Sequence, residues 1–541
     1  MLFNSPEFIF AFFPATIAIF FLIGRVSREW SLSWLIFASL FFYAWWNPIN
    51  VLIIGPSLII NYVLARVIQY FARDDRAAAK RRAVLIAGIA FNVLFLGYFK
   101  YVNFLEASLN DLIGTQFVLT QVILPLGISF IAFQKIAFLI DVNAGQIKSF
   151  SFREFGLFVL FFPQLIAGPI VHFRETMPQF RSGEGRFNRL GFSVGLTLFS
   201  IGLFKKVVLA DGIAVHISPI YDLAAGGESI SLFGAWAAAV GFTLQIYFDF
   251  SGYSDMALGL ARCFGIRLPL NFDSPLKASS IIDFWLRWHV TLTRFLTAYI
   301  YNPLALWLTR RRMSRRLPLL GGRRATVGAF LQLLAMPTII TMAVSGLWHG
   351  AGYLFILWGL LHGVYLTINH AWRIWAAKAF PVKEKYDRVM RPAGFLLTFL
   401  AVAFGMVLFR STSVAGASDI LAGMLGLNGI ALPAGLVEPF GLAGALEPFV
   451  TLEPGGATAF VLTNLWVAGL FLIATLLPNS LQVTALFEPA LDFAERPGHT
   501  AWRASFLSWR PTVVWGIAIA VLAILAISNL GAKSEFLYWQ F

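Results

Sequence analysis

Residues 344–351 read Val344-Ser345-Gly346-Leu347-Trp348-His349-Gly350-Ala351, and the apolar runs on either side, near 327–346 and 351–375, decide the fold. Each run is about 20 residues long, the length a helix needs to cross a bilayer. Similar runs recur near 8–24, 31–46, 51–70, 83–101, 119–140, 154–171, 190–210, 232–250, 393–409, 459–478 and 512–530. The chain has 541 residues, 58% of them hydrophobic and only 13% charged, with mean hydropathy +0.75. A soluble domain carries about 25% charged residues. A transmembrane barrel would instead show short alternating segments. The pattern predicts an all-α, polytopic transmembrane helical bundle of about 10 to 13 crossings, some of its helices re-entrant or interfacial.

The net charge is +14, yet the basic residues fall between apolar runs and form no domain of their own. That is the positive-inside pattern, and it argues against a nucleic-acid partner. Three segments are expected in the cytoplasm: Arg73 to Arg82, Arg310 to Arg324, and Arg373 to Arg391. Topology and contact with anionic membrane lipid account for them most simply; attraction of a phosphate-bearing donor is the functional alternative. Arg25 and Arg28 follow the first run, so the N-terminus is expected outside, in a multi-pass protein of the cell inner (plasma) membrane. The start Met1-Leu2-Phe3-Asn4-Ser5-Pro6-Glu7 lacks a basic n-region and does not read as a cleaved signal.

Residues 411–458 are rich in Gly, Pro and Ala, and their only charges are Asp419, Glu438, Glu447 and Glu453. The expected organisation is a core over 1–410, an extracytoplasmic loop over 411–458, and C-terminal membrane helices over 459–541. The lone cysteine, Cys263, permits no internal disulfide and no multi-cysteine metal site. No metal is expected.

An ionisable group inside the hydrocarbon region is expensive and normally lines a cavity or reaction path. His349 sits between Gly346 and Gly350, which allow close approach of a backbone or substrate, and only Ser345 is nearby as a polar neighbour. Catalysis is the favoured reading for it. His289 lies in Asp283-Phe284-Trp285-Leu286-Arg287-Trp288-His289-Val290, within a stretch 281–301 too polar to face lipid. Asp283 and Arg287 are four apart and can pair on a helix; a structural ion pair is favoured there. His362 lies thirteen residues after His349, about 220° round a continuous helix, so its default is structural. His172, His216 and His499 sit near segment ends and read as interfacial.

The run from Ile246 to Met256 places Asp249, Ser251, Gly252, Ser254 and Asp255 in apolar surroundings, which predicts a break or re-entrant turn. Capping of helix ends by Asp249, Ser251 and Asp255 is favoured over a cation site or a proton path there. No Walker loop, dinucleotide fingerprint, HExxH or GxSxG occurs, so no nucleotide-hydrolysing machinery is evident.

Five stretches together resemble the membrane-bound O-acyltransferase family, in particular its bacterial alginate O-acetyltransferase branch. They are Phe162-Pro163-Gln164-Leu165-Ile166-Ala167-Gly168-Pro169-Ile170, Gly202-Leu203-Phe204-Lys205-Lys206-Val207, Phe250-Ser251-Gly252-Tyr253-Ser254-Asp255-Met256, Asp283-Phe284-Trp285 to Trp288-His289, and Gly346-Leu347-Trp348-His349-Gly350. The C-terminal Phe536-Leu537-Tyr538-Trp539-Gln540-Phe541 is similar to that branch as well. The resemblance implies a helical bundle with a central tunnel. It implies catalytic residues at His349 and His289, with Asp283, Arg287, Trp348 and Ser254 as candidate substrate-binding residues. It implies no bound cofactor, an acyl-CoA donor (cytoplasmic acetyl-CoA), and a periplasmic acetyltransferase or polysaccharide-export partner. The branch's charged pair after the histidine is absent here, where Thr297-Ala298-Tyr299 stands, so alginate is not assumed as the acceptor. The alternatives are transfer of D-alanyl or another acyl group on the same scaffold, and a proton-coupled transporter using the two histidines as a relay.

Overall fold

The computed structural model describes residues 1–541 except 118–120, 183–186, 321–325, 381, 495–498, 532–536 and 538–541. Of the C-terminal motif only Leu537 therefore falls within the described residues. Arg323, Arg324 and the side chains of Lys378, Lys383 and His499 also lie outside them. Among the described residues the chain is helical, with β structure confined to one parallel pair, Ala431–Pro433 with Thr451–Glu453. Among the described residues seven helices are long and apolar enough to cross a membrane: Ile49–Phe71, Asp75–Ile113, Arg189–Ala225, Val327–His349, Tyr353–Ala376, Glu384–Arg410 and Ala457–Leu476. The all-α, multi-pass expectation holds.

The chain divides into two compact units that interleave along the sequence. The first comprises Met1–Phe204, Gly252–Asn271 and Ser480–Gln540. Its helices α1 (Ile49–Phe71), α2 (Ala78–Ile113) and α3 (Ile128–Asn143) pack on one another. Polar groups inside them are matched locally. Asn61 and Asn92 exchange amide hydrogen bonds of 3.2 and 2.7 Å, and the buried Lys135 Nζ donates to Ser57 Oγ at 2.5 Å. Two sequence spans are shorter than the hydropathy indicates. The span read at 119–140 becomes helical only at Ile128, after Pro125 and after Gly127 at φ 67°. The span read at 154–171 breaks at Phe161, and a new turn, Phe162–Leu165, opens with Pro163 near its start, where a missing N–H costs nothing.

The expected break at 246–256 is corrected by the structure: helix α4 (Leu232–Cys263) runs unbroken through it, and neither carboxylate caps an end. Each charge finds a partner instead. Within the second unit the buried Lys206 Nζ lies 2.8 Å from Asp249 and 2.6 Å from Asp211. Within the first, Ser480 donates to Asp255 at 2.6 Å. Gly202 provides the close approach there: a Cβ on it would lie 2.5 Å from the Gly252 carbonyl oxygen.

The second unit comprises Lys205–Ser251 and Phe272–Asn479. It holds the short helices α5 (Ile281–Trp285) and α6 (Val290–Leu296), then α7 (Asn302–Ser314), α8 (Met336–His349), α9 (Tyr353–Ala379), α10 (Lys383–Arg410) and α11 (Ala457–Leu476). Helices α8 and α9 form a tight hairpin, and α10 packs on α9. Residues 411–458 fall wholly in this unit and include a helix, Val414–Met424. Asp419 ties that helix down by accepting from the Ile230 N–H at 2.9 Å and from Asn428 at 3.0 Å.

Candidate active site

The site grows from the end of α8. Gly350, with extended backbone (φ −157°, ψ 154°), stops the helix immediately after His349, and α9 restarts at Tyr353. His349 is therefore in the last turn of α8, only 4% exposed. The close approach expected at Gly346 is made by protein backbone: a Cβ there would strike the Phe355 carbonyl oxygen of α9. Aromatic rings enclose the imidazole. Trp348 lies 4.9 Å away between ring centres, Trp358 of α9 5.1 Å and Phe409 of α10 5.2 Å.

His289 arrives by a different device. The stretch 281–301 is not one helix, as its Asp283/Arg287 spacing alone would allow. It breaks between α5 and α6, and His289 occupies the N-cap of α6 in the left-handed region (φ 41°, ψ 53°). A non-glycine residue held there stores backbone strain of about 1–3 kcal/mol, a feature that clusters at functional sites. His289 is fully buried against Phe250 (4.8 Å, 89°) and Phe272 (6.4 Å, 24°). The short helices around it lie outside the seven spans. Burial removes water from the ring and lowers its pKa to about 3, so the neutral imidazole is the form present. Trp348 connects the two histidines, 6.1 Å from His289 on one side and 4.9 Å from His349 on the other.

The structure also draws in residues the sequence did not single out. Trp358 stands 4.9 Å from His362, which in turn stands 5.4 Å from Trp285 of α5. The 220° separation computed for His362 assumed one continuous helix; the turn at Gly350–Gly352 folds α9 back on α8 and brings His362 to the same aromatic cluster. The available signal was Gly359-x-x-x-Gly363 on α9, a small-residue spacing that permits tight helix crossing.

A cavity of about 280 Å³ lies in this unit, lined by Trp285, Thr293, Tyr301, Thr338, Thr341 and His370, with apolar side chains between them. Three of its walls carry buried polar atoms that meet no partner among the described residues: Trp285 Nε1, Thr293 Oγ1 and Thr341 Oγ1. Along α8 the residues Thr338, Thr341 and Ser345 precede His349 by helical turns, so the cavity wall leads to the histidine. A largely apolar cavity with a few convergent polar groups is the usual form of a small-molecule site.

Of the other sequence candidates, Asp283 and Arg287 form the expected ion pair, Nε to Oδ1 at 2.8 Å, each about one-third exposed. Ser254 belongs to the first unit, where it is buried and accepts from Asn271 Nδ2 at 3.2 Å. His172, read as interfacial, is instead buried in that unit with Nδ1 3.8 Å from Asp141, while His216 is half-buried beside Thr463 and Trp466. No group of three metal-ligating side chains occurs among the described residues.

An all-α membrane protein whose two buried histidines meet one tryptophan suits chemistry within the bundle, and comparison with known proteins gives its class, the integral-membrane transferases. Residues 93–317 match the model of the membrane-bound O-acyltransferase family, MBOAT. The chain is 38% identical over 460 residues to the peptidoglycan O-acetyltransferase of Helicobacter pylori, covering 80% of this chain and 81% of that one. It is 33% identical to the probable alginate O-acetylase AlgI of Pseudomonas aeruginosa over the full length of both. Teichoic acid D-alanyltransferase of Streptococcus thermophilus matches at 30% over 49% of this chain and 60% of its own. The chain belongs to the membrane-bound O-acyltransferase family and is an acyltransferase with an acyl donor and an acceptor substrate.

Proposed function

We propose that this protein is an O-acetyltransferase of the inner membrane that passes an acetyl group from cytoplasmic acetyl-CoA to a hydroxyl of an extracytoplasmic polysaccharide or partner protein. The observation that carries the reading is the convergence of His289 and His349 on Trp348, in a unit that also holds a cavity walled by α8. Alginate is not assumed as the acceptor, because two relatives are named for different polymers; the shared element is O-acetylation.

In this mechanism His349 removes the proton from the acceptor hydroxyl as the oxygen attacks the thioester carbonyl. The C–O bond forms, the C–S bond breaks, and the imidazolium returns the proton to the leaving thiolate. His349 stands at the carbonyl end of α8, the end of a helix that suits a transient imidazolium. Neutral His289 polarises the carbonyl or holds the acceptor by a hydrogen bond.

The reading is tested with purified protein in liposomes, supplied with acetyl-CoA and a hydroxyl-bearing polysaccharide acceptor, following release of the free thiol. Thiol release by wild type is the expected result. No release, together with proton-coupled solute uptake in vesicles lacking any acyl-CoA, would replace it with the transporter reading. A second prediction separates His289 from His349. Asn tolerates the left-handed backbone, so His289→Asn should fold normally and lose activity strongly but incompletely. Full turnover in the residual folded protein would assign His289 a structural role.

A further inference from the structure

A second cavity, of about 270 Å³, lies at the other end of the same helices, lined by Trp307, Arg311, Arg312, Arg315, Gln332 and Met336. Arg312 is 6% exposed and held by neutral oxygens only. Its Nε donates to the Pro318 carbonyl at 2.9 Å, and its Nη1 donates to Gln332 Oε1 at 2.6 Å and to the Gly328 carbonyl at 3.4 Å. Those bonds fix the guanidinium and leave the two Nη2 hydrogens uncommitted among the described residues. Arg311, in the last turn of α7, and Arg315, immediately after that helix, are exposed, and the Arg311 guanidinium lies 5.4 Å from the Trp307 ring centre. Among the described residues no carboxylate forms an ion pair with any of the three arginines. Three like charges around one cavity repel one another, and a buried guanidinium without a counter-charge is costly. A bound anion removes both penalties.

We propose that this cavity is a phosphate-ester site, with the Arg312 fork and the Arg311 and Arg315 charges receiving the phosphate oxygens. Arginine forks match phosphate geometry. The site deepens the acetyl-CoA reading and rests on it for its role in catalysis, though not for its existence. Two tracks lead away from it. From Trp307 the chain runs back through Tyr301 to Thr293, and from Gln332 and Met336 it runs through Thr338 and Thr341 to His349; Trp307, Gln332 and Met336 line this second cavity, and Tyr301, Thr293, Thr338 and Thr341 line the first. Gln332 precedes His349 by 17 positions, which is roughly 25 Å of helix at 1.5 Å per residue. A donor with a phosphate at one end and a thioester at the other is the ligand that suits such a span. The headgroup of an anionic phospholipid offers the same phosphate chemistry.

The test uses the full-length protein in nanodiscs of neutral phosphatidylcholine, with CoA, inorganic pyrophosphate and pantetheine as probes. Arg311→Gln/Arg315→Gln should weaken CoA and pyrophosphate binding by roughly tenfold or more, flatten its salt dependence, and leave pantetheine binding unchanged. Arg311→Lys/Arg315→Lys should keep most of the affinity. Unchanged CoA affinity with loss of co-purifying phosphatidylglycerol from the Gln variant supports the phosphate site and assigns it to lipid. Retention of both CoA affinity and phosphatidylglycerol in a folded variant overturns the proposal. Loss of phosphate binding in a protein whose wild type never cleaves acetyl-CoA sustains the site and overturns the donor reading instead.

Discussion

His349→Ala abolishes acyl transfer while the protein still inserts and folds. A general base supplies about 10²- to 10⁴-fold in rate. Trp348 is in ring contact with both His289 and His349, and Trp358 with both His349 and His362. The fold should survive because the walls that enclose the imidazole, Trp348, Trp358 and Phe409, also pack on other rings: Trp358 on Trp285 and Phe409 on Phe355. The cost is a cavity the size of an imidazole, which lowers stability by a few kcal/mol at most. The measurement is acetylation of cell-surface polymer beside the amount and melting temperature of the protein in purified membranes. Normal acetylation by a well-expressed His349→Ala protein would remove His349 from the chemistry.

Much of this was legible in the sequence, for physical reasons. Twenty-residue apolar runs have few structural outcomes, so the class followed from hydropathy. A histidine in such a run must be accommodated by the interior, so His349 and His289 stood out before their neighbours were known. What stayed hidden depended on contacts between distant segments. The 246–256 stretch looked like a break because Asp249 and Asp255 seemed unprovided for; Lys206 and Ser480, far away in sequence, provide for them and let α4 continue. The break that does occur, at His289, carries no glycine or proline and is imposed by packing against Phe250 and Phe272. His362 was misplaced because periodicity describes one helix and cannot see a hairpin. The arginine cavity was legible only as basic residues, since a topological signal and an anion site have the same composition.

Gly346→Val destroys both the folded protein and its activity, the second largest effect expected. The α8–α9 crossing is backbone on backbone. A Cβ at Gly346 would meet the Phe355 carbonyl oxygen and come within 3.2 Å of Gly359 Cα; one at Gly359 would meet the Met342 carbonyl oxygen and come within 3.1 Å of Gly346 Cα. Neither partner is a side chain that can rotate away. Overpacking normally costs about 1–3 kcal/mol because neighbours adjust; here the helices themselves must separate, and the membrane offers no hydrophobic force to hold them at a wider spacing. The separation acts one turn before His349, so even a surviving protein holds its imidazole away from Trp358. Gly97 and Gly469, both helical and with nothing within 4 Å of an added Cβ, are the controls. Gly97→Val and Gly469→Val should leave the size-exclusion profile in detergent close to wild type, while Gly346→Val and Gly359→Val aggregate or vanish from the membrane. A monodisperse, fully active Gly346→Val protein would show that the α8–α9 contact does not set the position of His349.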